Sequence, residues 1–253
     1  MARFTINRLK KQKMRIDVYL FKEGYASSRT EAKAMVESGV VEVGNKTVTK
    51  PSFDVLEGAQ ISITDYDKKY VSRGGFKLEC AINNFNFKIS GKRAIDIGAS
   101  SGGFTDCLLQ NGASHVICVD SGSGQLSEIL RNDKRVTSIE NYNARYMRSE
   151  DFDYVPNIAV MDVSFISATY IIPSVYNILS NNSDFICLIK PQFEVGKSGI
   201  GKGGIVKNEK IRQSAVDKVT EFAKSIGFEV VKVVKSSIEG GDGNIEYLVH
   251  LRK

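Results

Sequence analysis

The sequence predicts an α/β protein in which a small α+β domain precedes a larger domain with a mostly parallel, doubly wound sheet. Strand-like apolar runs alternate with helical segments from Phe76 to the end of the chain, which is typical of parallel strands joined by crossover helices. Residues 1–64 carry shorter helices and strands. The polar, glycine-ended segment 65–75 indicates a linker, so we expect the larger domain over 76–253.

The predicted front domain, residues 1–64, starts with a basic tail. Residues 16–23 have the spacing of a short amphipathic helix, which a glycine ends. A capping box from Ser28 to Glu31 begins a second helix. The segment 40–49 alternates as a hairpin does around its glycine–asparagine turn, and AQISIT is predicted as a last strand.

The predicted larger domain begins at Phe76. Its strands are predicted over RAIDIG, HVICVD, IAVMDVS, DFICLIK, EVVKVVKSS and IEYLVHLR. Its helices are predicted over GFTDCLLQNG, QLSEILRND, ATYIIPSVYNILS and residues 208–226, the last ending at Gly227. The final two strands are joined by a short glycine-rich loop, so we expect them to pair antiparallel.

Positive charge is concentrated at the front of the chain. Residues 1–64 hold 11 Lys and Arg against 7 Asp and Glu, whereas the remaining residues hold 24 against 22. On the second predicted helix Arg29 and Lys33 are four residues apart and share a face, and Arg15 at the start of the first helix can join them. This basic face favours a polyanion such as RNA, while a plain solvated helix face fits the same charges.

Several classes of protein are disfavoured by the composition. No apolar run approaches the length of a membrane span, and the basic N-terminus has no apolar core of a secretory signal behind it. The four cysteines are widely spaced among apolar neighbours and form no CxxC pair, so we expect free thiols in a reducing cytoplasm and no metal site.

A glycine-rich loop between the first strand and first helix of the larger domain is the predicted nucleotide site. Glycines there let the backbone approach a ligand closely, and the helix N-terminus is electropositive. Asp120 ends the next strand, where a carboxylate typically binds ribose hydroxyls. The candidate cofactor-binding residues are Asp96, Gly98, Ser100, Gly102, Gly103, Phe104 and Asp120.

Other glycine-loop sites fit the residues less well. A dinucleotide loop has the spacing G-x-G-x-x-G, which Ser100 breaks. A P-loop starting at Gly196 would need a hydroxyl residue where Gly203 stands. An acidic residue two positions before the first glycine is the usual start of an S-adenosylmethionine loop, and Asp96 occupies that position.

The run from Gly98 to Gly102 also matches the G-x-S-x-G turn of serine hydrolases. Such an enzyme needs a histidine base on a loop. His115 directly precedes one predicted strand and His250 lies inside another, so a hydrolase is disfavoured.

Five motifs together resemble the TlyA family, and they are YVSRGGFKL, DIGASSGGFTDCLL, MDVSFIS, LIKPQFEVGK and GNIEYLVHLR. The catalytic domain of that family is similar to FtsJ-type ribose methyltransferases, and its front domain is similar to the RNA-binding domain of ribosomal protein S-four. The resemblance extends from Arg15 to Arg252. It implies a Rossmann-like, S-adenosylmethionine-dependent methyltransferase that modifies the 2′-hydroxyl of ribosomal RNA, usually at cytidine, with ribosomal RNA or ribosomal subunits as partners.

The resemblance further implies a Lys-Asp-Lys-Glu tetrad, which falls on Lys77, Asp162, Lys190 and Glu246. Asp162 and Lys190 lie at or just past the ends of predicted strands, where open α/β sheets build their sites. A ribose hydroxyl must lose its proton as the methyl is transferred, and a lysine accepts that proton only in its neutral form. We expect Lys190 to be this base, with Lys77 as the cation that favours its neutral form. Asp162 is expected to orient the amine, and Glu246 to hold Lys77 or the ribose.

The expected RNA contacts are Arg15, Arg29, Lys33 and, in the SRGGFK motif, Arg73. The glycine-rich basic segment 196–204 either closes over RNA or is merely mobile. Two other functions compete with methyl transfer. One is an RNA-binding protein whose Rossmann-like domain holds no cofactor. The other is a membrane-active protein, because the family was named for hemolysis, although nothing in the chain is pore-like.

Overall fold

The structure is a computed structural model that describes residues 13–26, 28–63, 69–196, 199–240 and 243–253. The chain divides into two compact units, residues 1–68 and 69–253. Most of the predicted basic tail, residues 1–12, lies outside the described residues.

Within residues 13–26 and 28–63, the smaller unit contains two short helices and five short strands, namely β1 (Lys13–Arg15), α1 (Ile16–Lys22), α2 (Arg29–Glu37), β2 (Val41–Val43), β3 (Lys46–Thr47), β4 (Asp54–Leu56) and β5 (Ile61–Ile63). Strand β2 lies between β3 and β5 in an antiparallel sheet, and β1 pairs with β4. Ile16, Leu20 and Val36 are buried in its core. The predicted helices and hairpin are present, with Ser28 Oγ accepting the Glu31 N–H at 3.1 Å.

The larger unit alternates strands and helices as expected. Its strands are β6 (Arg93–Ile97), β7 (His115–Val119), β8 (Val136–Ile139), β9 (Ile158–Met161), β10 (Asp184–Ile189), β11 (Glu229–Lys235) and β12 (Tyr247–Arg252). Its helices are α3 (Gly74–Asn84), α4 (Gly103–Gln110), α5 (Glu128–Arg131), α6 (Ile172–Ile178), α7 (Pro191–Glu194) and α8 (Glu209–Ile226), with short 3-10 turns between some of them.

The seven strands form one sheet in the order β11-β12-β10-β9-β6-β7-β8. Strands β6 to β10 run parallel, whereas β12 is antiparallel to both β10 and β11, which confirms the expected antiparallel final pair. The central strands β9 and β10 are buried along their whole length. Their side chains point alternately to the two faces of the sheet, and an apolar cluster packs against each face.

Helices α3 and α7 and the short strands β1 and β4 were not among the predicted elements. Three further elements also differ from the sequence prediction. Strand β8 was not predicted, since it is a partly exposed edge strand with two hydroxyl residues in four. The segment QLSEILRND forms only the single turn of α5, because Leu126 packs beside Leu130 before the helix begins. The segment predicted as one helix around Pro173 divides into a 3-10 turn and α6, since proline starts the new helix.

The described part of the predicted linker, residues 69–75, belongs to the larger unit. Tyr70 is buried there, and the Val71 N–H donates to Asp106 Oδ2 at 2.8 Å. A Cβ at Gly75 would lie 2.2 Å from the Tyr70 ring. The paired glycines that indicated a flexible linker therefore let Tyr70 pack closely against the start of α3.

Within the described part of the chain, no helix is both long and apolar enough to span a membrane. Three of the cysteines are buried and Cys80 is half-buried, and all four are free thiols.

Candidate active site

Four charged side chains from distant parts of the sequence meet at the carboxyl edge of the sheet. Asp162 follows β9 and Lys190 follows β10, and these two strands are neighbours. Lys77 lies in the first turn of α3, and Glu246 directly precedes β12, which pairs with β10. The predicted tetrad is therefore brought together by strand order.

The four groups form a chain of alternating charge. Lys77 Nζ lies 2.6 Å from Glu246 Oε2 and 3.8 Å from Asp162 Oδ2. Lys190 Nζ lies 2.6 Å from Asp162 Oδ1, on the other side of that carboxylate. Asp162 therefore stands between two ammonium groups, and the cluster is neutral when all four residues are ionised.

Burial makes these contacts strong. The Glu246 side chain is 2% exposed, and the two lysines are almost as well covered. Buried charges persist only when they are paired and hydrogen-bonded. Lys190 Nζ also donates to Ser164 Oγ at 2.7 Å. An ammonium has three N–H groups, so Lys190 keeps one for a further partner.

The glycine-rich segment before β12 makes room for Glu246. A Cβ at Gly240 would lie 2.6 Å from Glu246 Oε1. The Gly240 N–H donates to the Asn244 carbonyl at 2.8 Å, which closes the turn ahead of the carboxylate. A side chain at position 240 would push Glu246 away from Lys77.

The predicted cofactor loop has glycines where close packing requires them. Gly98 has a φ of +81°, and its Cβ would lie 2.5 Å from the Asp162 carbonyl oxygen. Gly102 has a φ of +93°, and its Cβ would lie 2.2 Å from Leu130 Cδ1. Gly103 begins α4, so the loop ends at a helix N-terminus.

Asp120 lies directly after β7, beside this loop. Its Oδ2 accepts the Ser100 N–H and its Oδ1 accepts the Gly122 N–H, both at 2.8 Å. The residues around it, which include Ala99, Leu126 and Glu140, line a small cavity. Each carboxylate oxygen has a second lone pair, so Asp120 can still accept ribose hydroxyls. The glycine loop, which lets the backbone approach a ligand, and the Asp120 carboxylate suit the nucleoside part of S-adenosylmethionine.

Two predicted cofactor residues lie below the loop surface. Asp96 is 0% exposed, and its Oδ2 accepts the Thr105 hydroxyl at 2.7 Å while Oδ1 has no hydrogen-bond partner among the described residues. Burial raises the pKa of Asp96 to about 7, with the Thr105 hydrogen bond opposing the shift and the Asp162 charge adding to it. Phe104 is buried in the apolar cluster that includes α3 and α4. Both residues therefore shape the loop from beneath.

Of the expected RNA contacts, Arg15 and Arg29 meet on one carboxylate in the smaller unit. Arg15 makes two hydrogen bonds of 2.9 Å with Asp17, and Arg29 makes one of 3.3 Å. Burial alone would raise the pKa of Asp17, but the two arginines lower it below its ordinary value. Both guanidinium groups stay about half exposed.

The other two expected RNA contacts lie apart from that pair. Lys33 lies 3.9 Å from Glu37 on α2 and is mostly exposed. Arg73 precedes α3 in the larger unit.

Exposed aromatic side chains near the cluster were missed by the sequence reasoning. Phe165, three residues after Asp162, is 91% exposed and has a φ of +65°. Its ring centroid lies 5.2 Å from that of Phe193. Arg145 lies 4.5 Å over the ring of Tyr170, and an open surface pocket is lined by residues that include both of them and Phe165. The aromatic residue in MDVSFIS was the available signal, although its exposure is visible only in the fold.

The geometry gives no support to a serine hydrolase. Ser100 Oγ donates to Gln125 Oε1 at 3.2 Å. His115 contacts Tyr154, and the buried His250 contacts Asp184 at 2.9 Å. Among the described residues, no group of three or more His, Cys, Asp and Glu side chains is arranged to hold a metal ion.

Comparisons with known proteins agree on the two units. Residues 70–253 match the FtsJ-like methyltransferase family, and residues 14–61 match the S4 domain. The chain is 42% identical to hemolysin A of Brachyspira hyodysenteriae, covering 94% of this chain and 99% of that protein. It is 38% identical to the 16S/23S rRNA (cytidine-2′-O)-methyltransferase TlyA of Mycobacterium tuberculosis, covering 95% of this chain and 90% of that one. A solved hemolysin-type structure from Streptococcus thermophilus has a TM-score of 0.77 at 43% identity, covering 95% and 88% of the two chains.

Proposed function

Because this chain belongs to the TlyA family, in which an S4 domain precedes an FtsJ-like methyltransferase domain, we propose that it methylates ribosomal RNA. The reaction transfers a methyl group from S-adenosylmethionine to a ribose 2′-hydroxyl, at cytidine. The observation that carries the proposal is the chain of four alternating charges beside a glycine loop that fits the cofactor. Since relatives of this chain are named as rRNA methyltransferases, we assign the protein to the cytoplasm.

The bound cofactor supplies an electrophilic methyl group on a positively charged sulfur. The chain's task is to hold the ribose oxygen in line and to remove its proton. Lys190 is suited to this because its Nζ donates to Ser164 Oγ and forms an ion pair with Asp162 Oδ1, which leaves an N–H position for a substrate atom. We assign the proton from the hydroxyl to Lys190 Nζ.

The charge balance of the cluster supports this assignment. With both lysines ionised the cluster is neutral, and loss of one proton from Lys190 leaves it with one net negative charge. Taking the hydroxyl proton restores neutrality. Lys77 is held in the cluster by Glu246 at 2.6 Å and by Asp162 at 3.8 Å.

Substrate RNA is held by two kinds of surface. In the S4 unit, Arg15 and Arg29 present half-exposed guanidinium groups that suit phosphates. In the catalytic unit, Phe165 and the Arg145–Tyr170 pair present faces on which bases can stack. Proteins read unpaired RNA in this way, so the target cytidine is expected to be unpaired when it reaches Lys190.

The test is methylation of ribosomal RNA with labelled S-adenosylmethionine, followed by mapping of the modified nucleotide. Label on a ribose 2′-oxygen, lost in Lys190→Ala and kept in Lys224→Ala, is the expected result. Lys224 is a suitable control because it is an exposed lysine that pairs only with exposed Glu221. Label on a base, or cofactor binding without any transfer to RNA, would instead favour a different methyltransferase or a cofactor-dependent binding protein.

A further inference from the structure

Glu194 places a buried carboxylate next to the active site but outside the four-charge cluster. It is the last residue of α7, four positions after Lys190, and it is 6% exposed. Its Oε2 accepts the Ser167 hydroxyl at 2.5 Å, and its Oε1 accepts the Ala168 N–H at 2.7 Å. Lys218 adds an ion pair at 3.4 Å. The carboxylate is therefore well satisfied by donors, two of which lie on the segment that follows β9.

That segment carries the most unusual backbone near the site. Phe165 is bulky, has a positive φ and is almost fully exposed. A left-handed conformation at such a residue is strained and persists only when its surroundings hold it. The ring contacts Phe193 but is 91% exposed, so burial offsets little of the strain and contacts on either side of Phe165 in the chain are needed to hold it.

Residues on both sides of Phe165 form hydrogen bonds with the segment after β10. On one side Ser164 accepts a hydrogen bond from Lys190 at 2.7 Å. On the other side Ser167 and Ala168 are bound by Glu194. The ring of Phe193, next to Glu194, lies 5.2 Å from the ring of Phe165.

We infer that Glu194 is a positioning residue that holds Ser164 and Phe165 in the conformation required for methyl transfer. The inference rests on the proposed function, since it gives Phe165 a base to stack on and Lys190 a ribose to act on. Glu194 itself touches neither the RNA nor the reacting atoms. It acts through the segment after β9, by fixing the far end of the turn that contains Phe165.

Removal of the carboxylate should therefore lower the rate of methyl transfer and leave the affinity for the cofactor unchanged. Glu194→Ala is expected to reduce the single-turnover rate with saturating RNA by about 10- to 100-fold, the scale of a displacement of order 1 Å in a positioned group. The affinity for S-adenosylmethionine should stay unchanged, because Asp120 and its loop are held by hydrogen bonds from the Ser100 and Gly122 N–H groups and not through the segment after β9. Glu194→Gln should keep most of the rate, since its amide can still accept from Ala168 and donate to Ser167.

A tryptophan probe tests the inference without relying on activity. The chain has no tryptophan, so Phe165→Trp gives a single tryptophan at the exposed position, and its fluorescence can be excited apart from that of the tyrosines. Adding Glu194→Ala should lower the fluorescence anisotropy of that probe and raise its quenching by acrylamide. Adding Glu221→Ala, which removes an exposed carboxylate of α8, should change neither. Unchanged anisotropy with Glu194→Ala would overturn the inference.

A double-mutant cycle separates positioning from general stability. If Glu194 acts through Phe165, then Glu194→Ala should cost much less in a Phe165→Ala background than in the parent. Full additivity of the two effects on rate, measured well below the melting temperature of each variant, would show a merely structural role. Should the parent protein fail to methylate RNA, the proposed function fails, while the fluorescence result still decides whether Glu194 orders this segment.

Discussion

Gly98→Ala should inactivate the protein by displacing Asp162, although Gly98 carries no chemistry of its own. A Cβ at this position would lie 2.5 Å from the Asp162 carbonyl oxygen, whereas ordinary contacts begin at 3.4 Å. The two backbones must therefore separate by about 0.9 Å. A shift of that size moves the carboxylate between Lys77 and Lys190, and misplacement by about 1 Å can cost on the order of 100-fold in rate.

The matched control for this prediction is Gly91→Ala. Gly91 has a φ of +74°, close to the +81° of Gly98, but its Cβ would meet nothing within 4 Å. Both variants should lose about 1–2 kcal/mol of stability from the left-handed backbone, which urea unfolding measures. Only Gly98→Ala should lose single-turnover methylation at a temperature where both remain folded. Equal rates in the two variants would refute the steric argument.

Three further predictions concern the base, a buried acid and the RNA surface. Lys190→Ala and Lys190→Arg should each lose about 100-fold or more in single-turnover rate and keep S-adenosylmethionine binding by calorimetry. A near-normal rate for Lys190→Arg would mean that the proton goes elsewhere. The pKa of Asp96 is raised to about 7 from an ordinary value of 3.8, so the folded state binds the extra proton between these values. Its contribution to stability is full below about pH 3.8 and is lost as the pH rises through 7, and Asp96→Asn should remove this dependence in unfolding titrations. If both proteins show the same slope between pH 4 and 7, Asp96 is not the group responsible. Arg29→Ala should weaken RNA binding and reduce its salt dependence by about one unit of slope, while Arg15 keeps its two bonds to Asp17. An unchanged salt dependence would remove Arg29 from the RNA surface.

The fold and half of the proposed tetrad follow from sequence pattern alone. Asp162 and Lys190 come directly after strands that are mostly apolar and buried throughout, and the carboxyl ends of parallel strands must share one edge. Their proximity was therefore predictable without any relative. Lys77 and Glu246 were not, because one lies on a helix and the other precedes an antiparallel strand. Only the motif resemblance brought them into the site.

Other features depend on packing that no local pattern encodes. The double glycine at 74–75 has the composition of a linker, yet α3 starts there, and a Cβ at Gly75 would lie 2.2 Å from the Tyr70 ring. Asp96 matched the start of a cofactor loop, but the fold buries it under that loop. Glu194 is one acid among many in the sequence, and its role emerges only from the donors that surround it.

The position of Gly98 against Asp162 follows from the order in which the strands are added to the sheet. From β6 the chain builds β7 and β8 on one side, then returns to add β9 and β10 on the other. Strands β6 and β9 are neighbours whose following loops diverge, and such a switch point is where open α/β sheets bind ligands. Gly98 follows β6 and leads to the cofactor loop, while Asp162 follows β9 and leads to the catalytic cluster. The Asp162 N–H donates to the Ile97 carbonyl at 3.0 Å, so the strand pairing that forms the sheet also fixes the distance between these two sites. Any residue larger than glycine at 98 changes that distance. A substitution there is therefore expected to displace both the cofactor loop and the Asp162 carboxylate.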